Sequence, residues 1–484
     1  MSPARKILLA AACAAACASL SACGGGGDNE NTTGRNQPPP PTRYFSIGGT
    51  VGSAFTGKLV LQDQYALNGS THTDRVTLST SGAFQVSSQV PQGDSYQVSV
   101  ATQPPAQYCT VAQGSGTAQA AVSNVAVTCA AGTESVLAMQ PSGSTLYGVP
   151  LLASDGNVYA SAYVGGAHGN GAIVQITPAG KVSELYSFAG GAGDGASPNQ
   201  TLVQGPNGDL YGVTAGGGPS GFGSIFELTL GGNEKVLHLF SGGTTDGATP
   251  SSPLLLATDG NFYGATSAGG TYGGGTLYRI SPAGAYTLLY SFAANASAAL
   301  SLPDGALIQA SNGELVGTCY DGGAGNNGGV FTFDPKTGTE TDLAQAGTTF
   351  AGPQFGVIQA SDGNYYGLAD YTGDELFKVT PSGTASVVYN FNTGISGALT
   401  GAAGPLVQAS DGELYGIAGS GGSSGGGAVF RVDPATDTLT TVHAFSSATG
   451  SLDYGPGNGL ALGSNGWLYG LFGSPAPGGV FTID

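Results

Sequence analysis

Residues 252–292 read SPLLLATDGNFYGATSAGGTYGGGTLYRISPAGAYTLLYSF. Four runs of strand length stand out: SPLLLAT, NFYGATS, GTLYRIS and AYTLLYSF. Each is rich in aromatic, β-branched or apolar residues and bounded by Gly, Pro, Asp or Ser, the pattern of short strands between turns. Asp259-Gly260 is placed to turn the first run into the second, because Gly accepts positive φ. SPAG at 281–284 turns the third into the fourth, with Pro fixing one φ and Gly closing the turn. A Gly-rich stretch joins the second to the third. The segment therefore predicts one four-stranded antiparallel unit.

The unit recurs. Its turn-plus-aromatic marker appears seven times, as SDGNVYA, PNGDLYG, TDGNFYG, SNGELVG, SDGNYYG, SDGELYG and SNGWLYG. The turn glycines are Gly156, Gly208, Gly260, Gly313, Gly363, Gly412 and Gly466, spaced by 52, 52, 53, 50, 49 and 54 residues. Four-stranded units at this period are the signature of propeller blades. The last copy stops at GGVFTID, a third strand without a fourth, while the region begins with ESVLAMQ, a fourth strand with no unit before it. Pairing the two would close the ring and remove its exposed sheet edges. The expectation is an all-β fold with a seven-bladed β-propeller over residues 131–484.

Residues 44–130 carry further strand-like segments, FSIGGTVG, GKLVLQD, RVTLSTSGAFQVSS, YQVSVATQ and NVAVTC, and predict a small immunoglobulin-like β-sandwich. Before it, residues 1–22 have the form of an export signal: Arg5 and Lys6, then an apolar Ala-rich stretch ending in Leu20-Ser21-Ala22-Cys23. This ending resembles a bacterial lipobox, which implies cleavage before Cys23 and acylation of its thiol. Gly24, where inner-membrane retention would want Asp, implies an outer-membrane lipoprotein, on the periplasmic side or the cell surface. Residues 23–43 read as a linker, flexible at its glycines and stiffer at Pro38–Pro41. In an exported chain Cys109 and Cys129 are expected to pair, and Cys319, in an apolar strand, to be a buried inert thiol.

The formal charge is −18, with 12 Lys and Arg against 30 Asp and Glu. That disfavours nucleic acid, whose phosphates are held by Lys and Arg. The 86 glycines and the 22 Tyr and 19 Phe disfavour a helical protein. HExxH does not occur, and Gly-rich loops make GxG matches uninformative without a helix to follow them.

The repeats resemble the Gloeo/Verruco tandem repeats of bacterial exported proteins. The resemblance rests on LYSFAGGAGDGASPNQTLVQGPNGDLYGVTAGGGPSGFGSIFEL and LHLFSGGTTDGATPSSPLLLATDGNFYGATSAGGTYGGGTLYRI and covers roughly residues 133–484. The fourth and fifth copies depart from it: both lack the DGxxP segment, and Val316 replaces the usual Tyr in the fourth. It implies fold and exported location, not an activity.

Function in such a scaffold concentrates on loops. The longer loops join second to third strands and fourth strands to the next unit, so they share one face. Candidate ligand-binding residues there are Asp194, Asp246, Asp321 and Asp370, with the aromatics Phe222, Tyr272, Tyr320, Tyr371 and Tyr454. Aromatics beside carboxylates suit sugar rings or a protein partner. Asp194 and Asp246 recur in GDGASP and TDGATP. Ca²⁺ is a conceivable ligand of such loops, but the alternating carboxylates of a calcium loop are absent, and a turn held by the Asp side chain is the simpler reading. The recurring strand tyrosines read as packing. The expected function is a displayed, non-catalytic binding module for a glycan or an envelope protein, attached to the membrane through its N-terminal lipid and needing no cofactor. The alternatives are a polysaccharide hydrolase or lyase using the acidic loop face, and a structural envelope protein.

Overall fold

The computed structural model describes residues 42–484 except 56, 68–69, 105–106, 132–133, 140–144, 295–298, 348, 370–373, 392–397, 423–424, 447–458, 473–478 and 484. The signal, Cys23 and the linker lie outside the described residues. Residues 44–484 form one compact unit. It is all-β; the described residues contain one 3₁₀ turn, Gly191–Gly193, and no α-helix.

The first eight strands are β1 (Tyr44–Val51), β2 (Leu59–Leu67), β3 (Ser70–Leu78), β4 (Gly82–Pro91), β5 (Ser95–Thr102), β6 (Gln107–Ala112), β7 (Ser115–Thr117) and β8 (Val122–Ala131). They make two sheets, β4-β1-β8-β6 and β3-β2-β5-β7. One core joins them: Ile47, Phe84 and Val127 from the first sheet with Leu61, Tyr65 and Val98 from the second. Cys109 and Cys129 are bonded as expected. They are directly opposed neighbours on β6 and β8, so the bridge lies within one sheet rather than between sheets.

Among the described residues the repeats build seven main sheets, six of four strands and the third of five, in chain order in the first six apart from the divided first strand of the third; a two-stranded pair, Gly195–Ala196 with Gly216–Gly217, lies beside the second. In the third sheet the expected strands appear at Leu255–Leu256, Phe262–Gly269, Gly273–Ile280 and Tyr286–Ala293. Its first strand is shorter than SPLLLAT, and a separate piece, Gly247–Pro250, pairs further along Phe262–Gly269. The break has a local cause. The amide of Ala265 donates to Ser252 Oγ at 2.7 Å instead of to a backbone carbonyl, and Pro253 has no amide to donate.

The turn between first and second strands is a three-residue loop, closed by Ala257 and Asn261, with Gly260 at φ 79°. Its Asp is also an anchor. Asp259 Oδ2 accepts from Tyr263 Oη at 2.9 Å, and Asp155–Tyr159, Asp362–Tyr366 and Asp411–Tyr415 repeat the bond. The rings of Tyr159, Tyr211, Tyr366 and Tyr415 are fully buried, as packing requires, while their hydroxyls are satisfied at the turn.

The last sheet is composite. Leu460–Leu462, Leu468–Phe472 and Gly479–Ile483 are joined by Glu134–Met139, with Val480 opposite Ala138 and Thr482 opposite Ser135. The hydrophobic clusters follow the same cycle. Each holds residues from two successive sheets: Tyr159 and Ile173 with Leu210 and Phe226, then Tyr211 and Ile225 with Phe262, and so on. One more joins the seventh sheet to the first, through Leu471 and Val480 against Val158 and Val174. The architecture is propeller-like. Cys319 is fully buried on Leu315–Gly322, and burial, then the nearby Glu340, pushes its thiol pKa up.

Candidate functional site

A cavity of about 370 Å³ is walled, among the described residues, by segments of the first six repeats. Its lining comes from the segments that enter each first strand. Three residues before Pro150, Leu202, Leu254, Leu307 and Val357 stand Tyr147, Asn199, Ser251, Asp304 and Gln354, and all five line it. Hydrogen bonds pass from sheet to sheet around this wall. The Val149 amide donates to Thr201 Oγ1 at 2.9 Å, Gln200 Nε2 to the Ser251 carbonyl at 3.0 Å, and Ser251 Oγ to the Pro303 carbonyl at 2.6 Å. The rim also holds Tyr147 and Tyr163, both 37% exposed, with ring centroids 5.3 Å apart. Asn199 Oδ1 is buried without a hydrogen-bond partner.

The backbone just before the wall is held in an uncommon conformation. Ser197, Thr249 and Leu302 have φ of 57°, 57° and 54°, each preceding a proline and lying two residues before Asn199, Ser251 and Asp304. Positive φ is costly for any residue with a β-carbon and most unusual for a β-branched one such as Thr249. The fourth copy lacks the DG pair yet keeps this corner through Leu302 and Pro303. The fifth keeps it through Gly352 (φ 67°) and Pro353.

The Gloeobacter/Verrucomicrobia repeat matches residues 95–305 and again 302–484. The chain belongs to this repeat family. The match begins within β5, earlier than the start near residue 133 read from the sequence. No curated protein matches the sequence. Among solved structures, the chain is similar to an oligogalacturonate lyase from Vibrio parahaemolyticus at 9% identity and a TM-score of 0.49, covering 81% of this chain and 98% of that one. It is similar to an oligogalacturonate lyase in complex with manganese at 10% identity and 0.47, covering 72% and 96%. It is also similar to the extracellular domain of a hybrid two-component system from B. thetaiotaomicron at 11% identity and 0.47, covering 70% of this chain and 38% of that one. Likeness at this level carries nothing about the activity of a Gloeobacter/Verrucomicrobia repeat protein.

The described loop residues singled out in the sequence do not gather at the cavity. Asp194 and Asp246 are buried and hold their own turns. Asp194 accepts from the amides of Ala189 and Gly195, both at 2.6 Å, and from Tyr186 Oη at 3.1 Å. Asp246 accepts from the amides of Ser241 and Gly247, from Ser241 Oγ and from His238 Nε2. Burial works against the charge of Asp246, but the His238 and Ser241 bonds outweigh it and bring its pKa down to about 2. The carbonyls of both residues accept from Gly218 and Gly270, tying each connection to the neighbouring Gly-rich loop. These partners are N–H and O–H donors, so the turn-lock reading fits both residues and the Ca²⁺ reading does not. Among the described residues, no group of three His, Cys, Asp or Glu is placed to hold a metal.

Tyr272 is 65% exposed, and Phe222 packs beside Gly242, where a β-carbon would meet its ring at 2.9 Å. Tyr320 and Asp321 are half-buried on Leu315–Gly322, and Asp321 accepts from Asn326 at 3.3 Å. Asp370, Tyr371 and Tyr454 lie outside the described residues. The sequence reading missed the cavity wall. Aligning the repeats and asking which position differs in every copy would have found it.

A second group of ionisable residues lies between fourth strands. Tyr290 Oη donates to Glu340 Oε2 at 2.9 Å, from one sheet to the next. Glu234 stands at the equivalent place beside Tyr186 and Asp194. Glu234 Oε1 and Glu340 Oε1 are buried without partners. Burial pushes Glu234 up to about 7, with Asp194 adding to it. It does the same for Glu340, also to about 7, against the Tyr290 bond. Between these pairs His238 stacks on Tyr286, centroids 3.8 Å apart. These contacts weld sheet to sheet away from the cavity.

Proposed function

We propose that this protein is a lipid-anchored, non-catalytic binding module. In this reading the repeats form a closed seven-bladed β-propeller, an immunoglobulin-like sandwich serves as spacer, and acylated Cys23 holds the chain at the outer membrane. The cyclic sequence of hydrophobic clusters and the pairing of Gly479–Ile483 with Glu134–Met139 support closure. A lipid, a linker and a rigid scaffold together make a display arrangement.

The observation that carries the binding role is the cavity wall. The repeats hold their packing residues nearly constant, as at Tyr159, Tyr211, Tyr263, Tyr366 and Tyr415. At the wall the equivalent position is Tyr, Asn, Ser, Asp and Gln in successive copies. A purely structural repeat has no use for that diversity at one inward position, whereas a site for an asymmetric ligand does. Glycoside cleavage by hydrolysis ordinarily uses two carboxyl groups, and among the described residues this lining contributes one, Asp304. The test is binding of the purified full chain to panels of glycans and envelope proteins, with and without Ca²⁺, beside a variant in which Ala306→Trp fills the cavity. Saturable binding that the variant abolishes is expected. Binding that survives Ala306→Trp, or turnover of a polysaccharide, would replace this reading.

A further inference from the structure

We infer that the cavity binds the ring of an uncharged saccharide, stacked on Tyr147 and Tyr163 and hydrogen-bonded by the polar wall. The inference rests on the binding-module reading and names its ligand class. Three observations converge on it.

The first is the aromatic pair. Tyrosine rings in a soluble scaffold are ordinarily buried, as most of the repeat tyrosines here are, because each carries a large apolar area. Tyr147 and Tyr163 instead stand on neighbouring strands of the first sheet at the cavity rim, 37% exposed and inclined at 45° to each other. Such a surface offers an apolar face with hydroxyl groups at its edge. The C–H face of a pyranose matches the first and its hydroxyls match the second.

The second is the polarity of the wall. Asn199, Ser251, Asp304 and Gln354 supply amide, hydroxyl and carboxylate groups from four successive sheets. The buried Asn199 Oδ1 lacks a donor. A buried acceptor left unpaired costs free energy that a ligand hydroxyl would recover. A ring bearing several hydroxyls can address several walls at once, and a flat apolar ligand cannot.

The third is charge. Among the described residues, no Lys, Arg or His lines the cavity, and Asp304 is the only ionisable group there besides the two tyrosines. A uronate or sulfated sugar would bring its anion toward a carboxylate in a chain of formal charge −18. Neutral hexoses and N-acetylated hexoses meet no such penalty.

The experiment is a binding screen of the full chain against neutral, N-acetylated and uronate-bearing oligosaccharides, followed by titration of the best ligand. Tyr163→Ala should weaken binding at least tenfold, and Tyr163→Phe, which keeps the ring, should retain it within about threefold, roughly the loss of one neutral hydrogen bond. Near-UV circular dichroism identical to the parent shows that Tyr163→Ala has folded. Asp304→Asn, which removes the lining carboxylate, should raise affinity for uronates relative to neutral sugars. Exclusive binding of uronates, or saccharide binding indifferent to Tyr163→Ala, overturns the inference and leaves a binding module standing. Thermal shifts with an unbiased peptide library but with no saccharide do the same. Absence of a shift with saccharides and peptides alike overturns both.

Discussion

Thr482 Oγ1 donates to the carbonyl of Ser135 at 3.5 Å across 347 residues of chain. The bond belongs to the ladder by which Glu134–Met139 completes the sheet of Gly479–Ile483. In that ladder Ala138 is 5% exposed and packs with Leu471 and Val480. Ala138→Asp would bury a carboxylate there, and we expect a loss of about 3 kcal/mol, the upper range for single substitutions in a core. Denaturant unfolding measures it; a loss below about 0.5 kcal/mol, the scale of surface changes, would mean that the first and seventh sheets do not share a core.

The bond from Tyr415 to the Asp411 turn is open to a cleaner test. Tyr415→Phe keeps the buried ring and removes only the hydroxyl, which donates to Asp411 at 3.0 Å. Burial already raises the Asp411 pKa, so losing a donor leaves a poorly satisfied carboxylate. The expected cost is about 1.5 kcal/mol by urea unfolding. The fourth repeat shows the alternative arrangement: Val316 has no hydroxyl, and Asn312 turns to Glu314 at 2.7 Å. Val316→Tyr should therefore not stabilise that repeat.

Stability should fall as pH rises toward neutrality. Glu234 and Glu340 titrate near 7 when folded against an ordinary value of 4.5. The folded chain therefore binds more protons than the unfolded chain between those values. The stabilisation from these groups is full below about pH 4.5 and declines as pH climbs through 7. Melting temperature should be higher at pH 5 than at pH 8, and Glu234→Gln with Glu340→Gln should flatten the difference. Asp246 runs the other way: its pKa of about 2 lies below the ordinary 3.8, so its contribution holds above that value and is lost as pH falls toward 2.

Asp246→Ala tests the turn-lock. It removes the acceptor for His238, Ser241 and Gly247 at once. A loss of about 3 kcal/mol is expected, and added Ca²⁺ should not shift the melting temperature of the parent protein. A stabilising response to Ca²⁺ that Asp246→Ala eliminates would restore the metal reading.

Cys23→Ala should release the protein from membranes into the soluble fraction, because acyl chains provide the anchor in the proposed arrangement. Continued membrane association of the variant would reject it.

The strands of the repeats were legible because their signals are local. Alternation, Asp-Gly and SPAG lie within a few residues of the turns they make, and the third sheet appears nearly where its sequence places it. The composite last sheet was legible because two incomplete units complement each other. The division of the third sheet's first strand was not, since it depends on Ser252 capturing an amide 13 residues away. Asp194 and Asp246 could be read as turn residues, but their partners Tyr186 and His238 sit eight residues upstream on a strand, out of reach of turn rules. The cavity wall was hidden for a different reason. Repeat matching rewards positions that agree, and Asn199, Ser251, Asp304 and Gln354 occupy one that does not.

The composite sheet also sets an order of events. A chain made from its N-terminus presents Glu134–Met139 long before Gly479–Ile483 exists. In the interval that strand is an unpaired edge, able to recruit the wrong neighbour. Six sheets can stack as they emerge, through contacts between adjacent repeats, but the seventh waits for the most distant pairing in the molecule, the slowest kind to form. Completing that sheet is thus expected late in folding, at a rate set by the time Glu134–Met139 and Gly479–Ile483 take to meet.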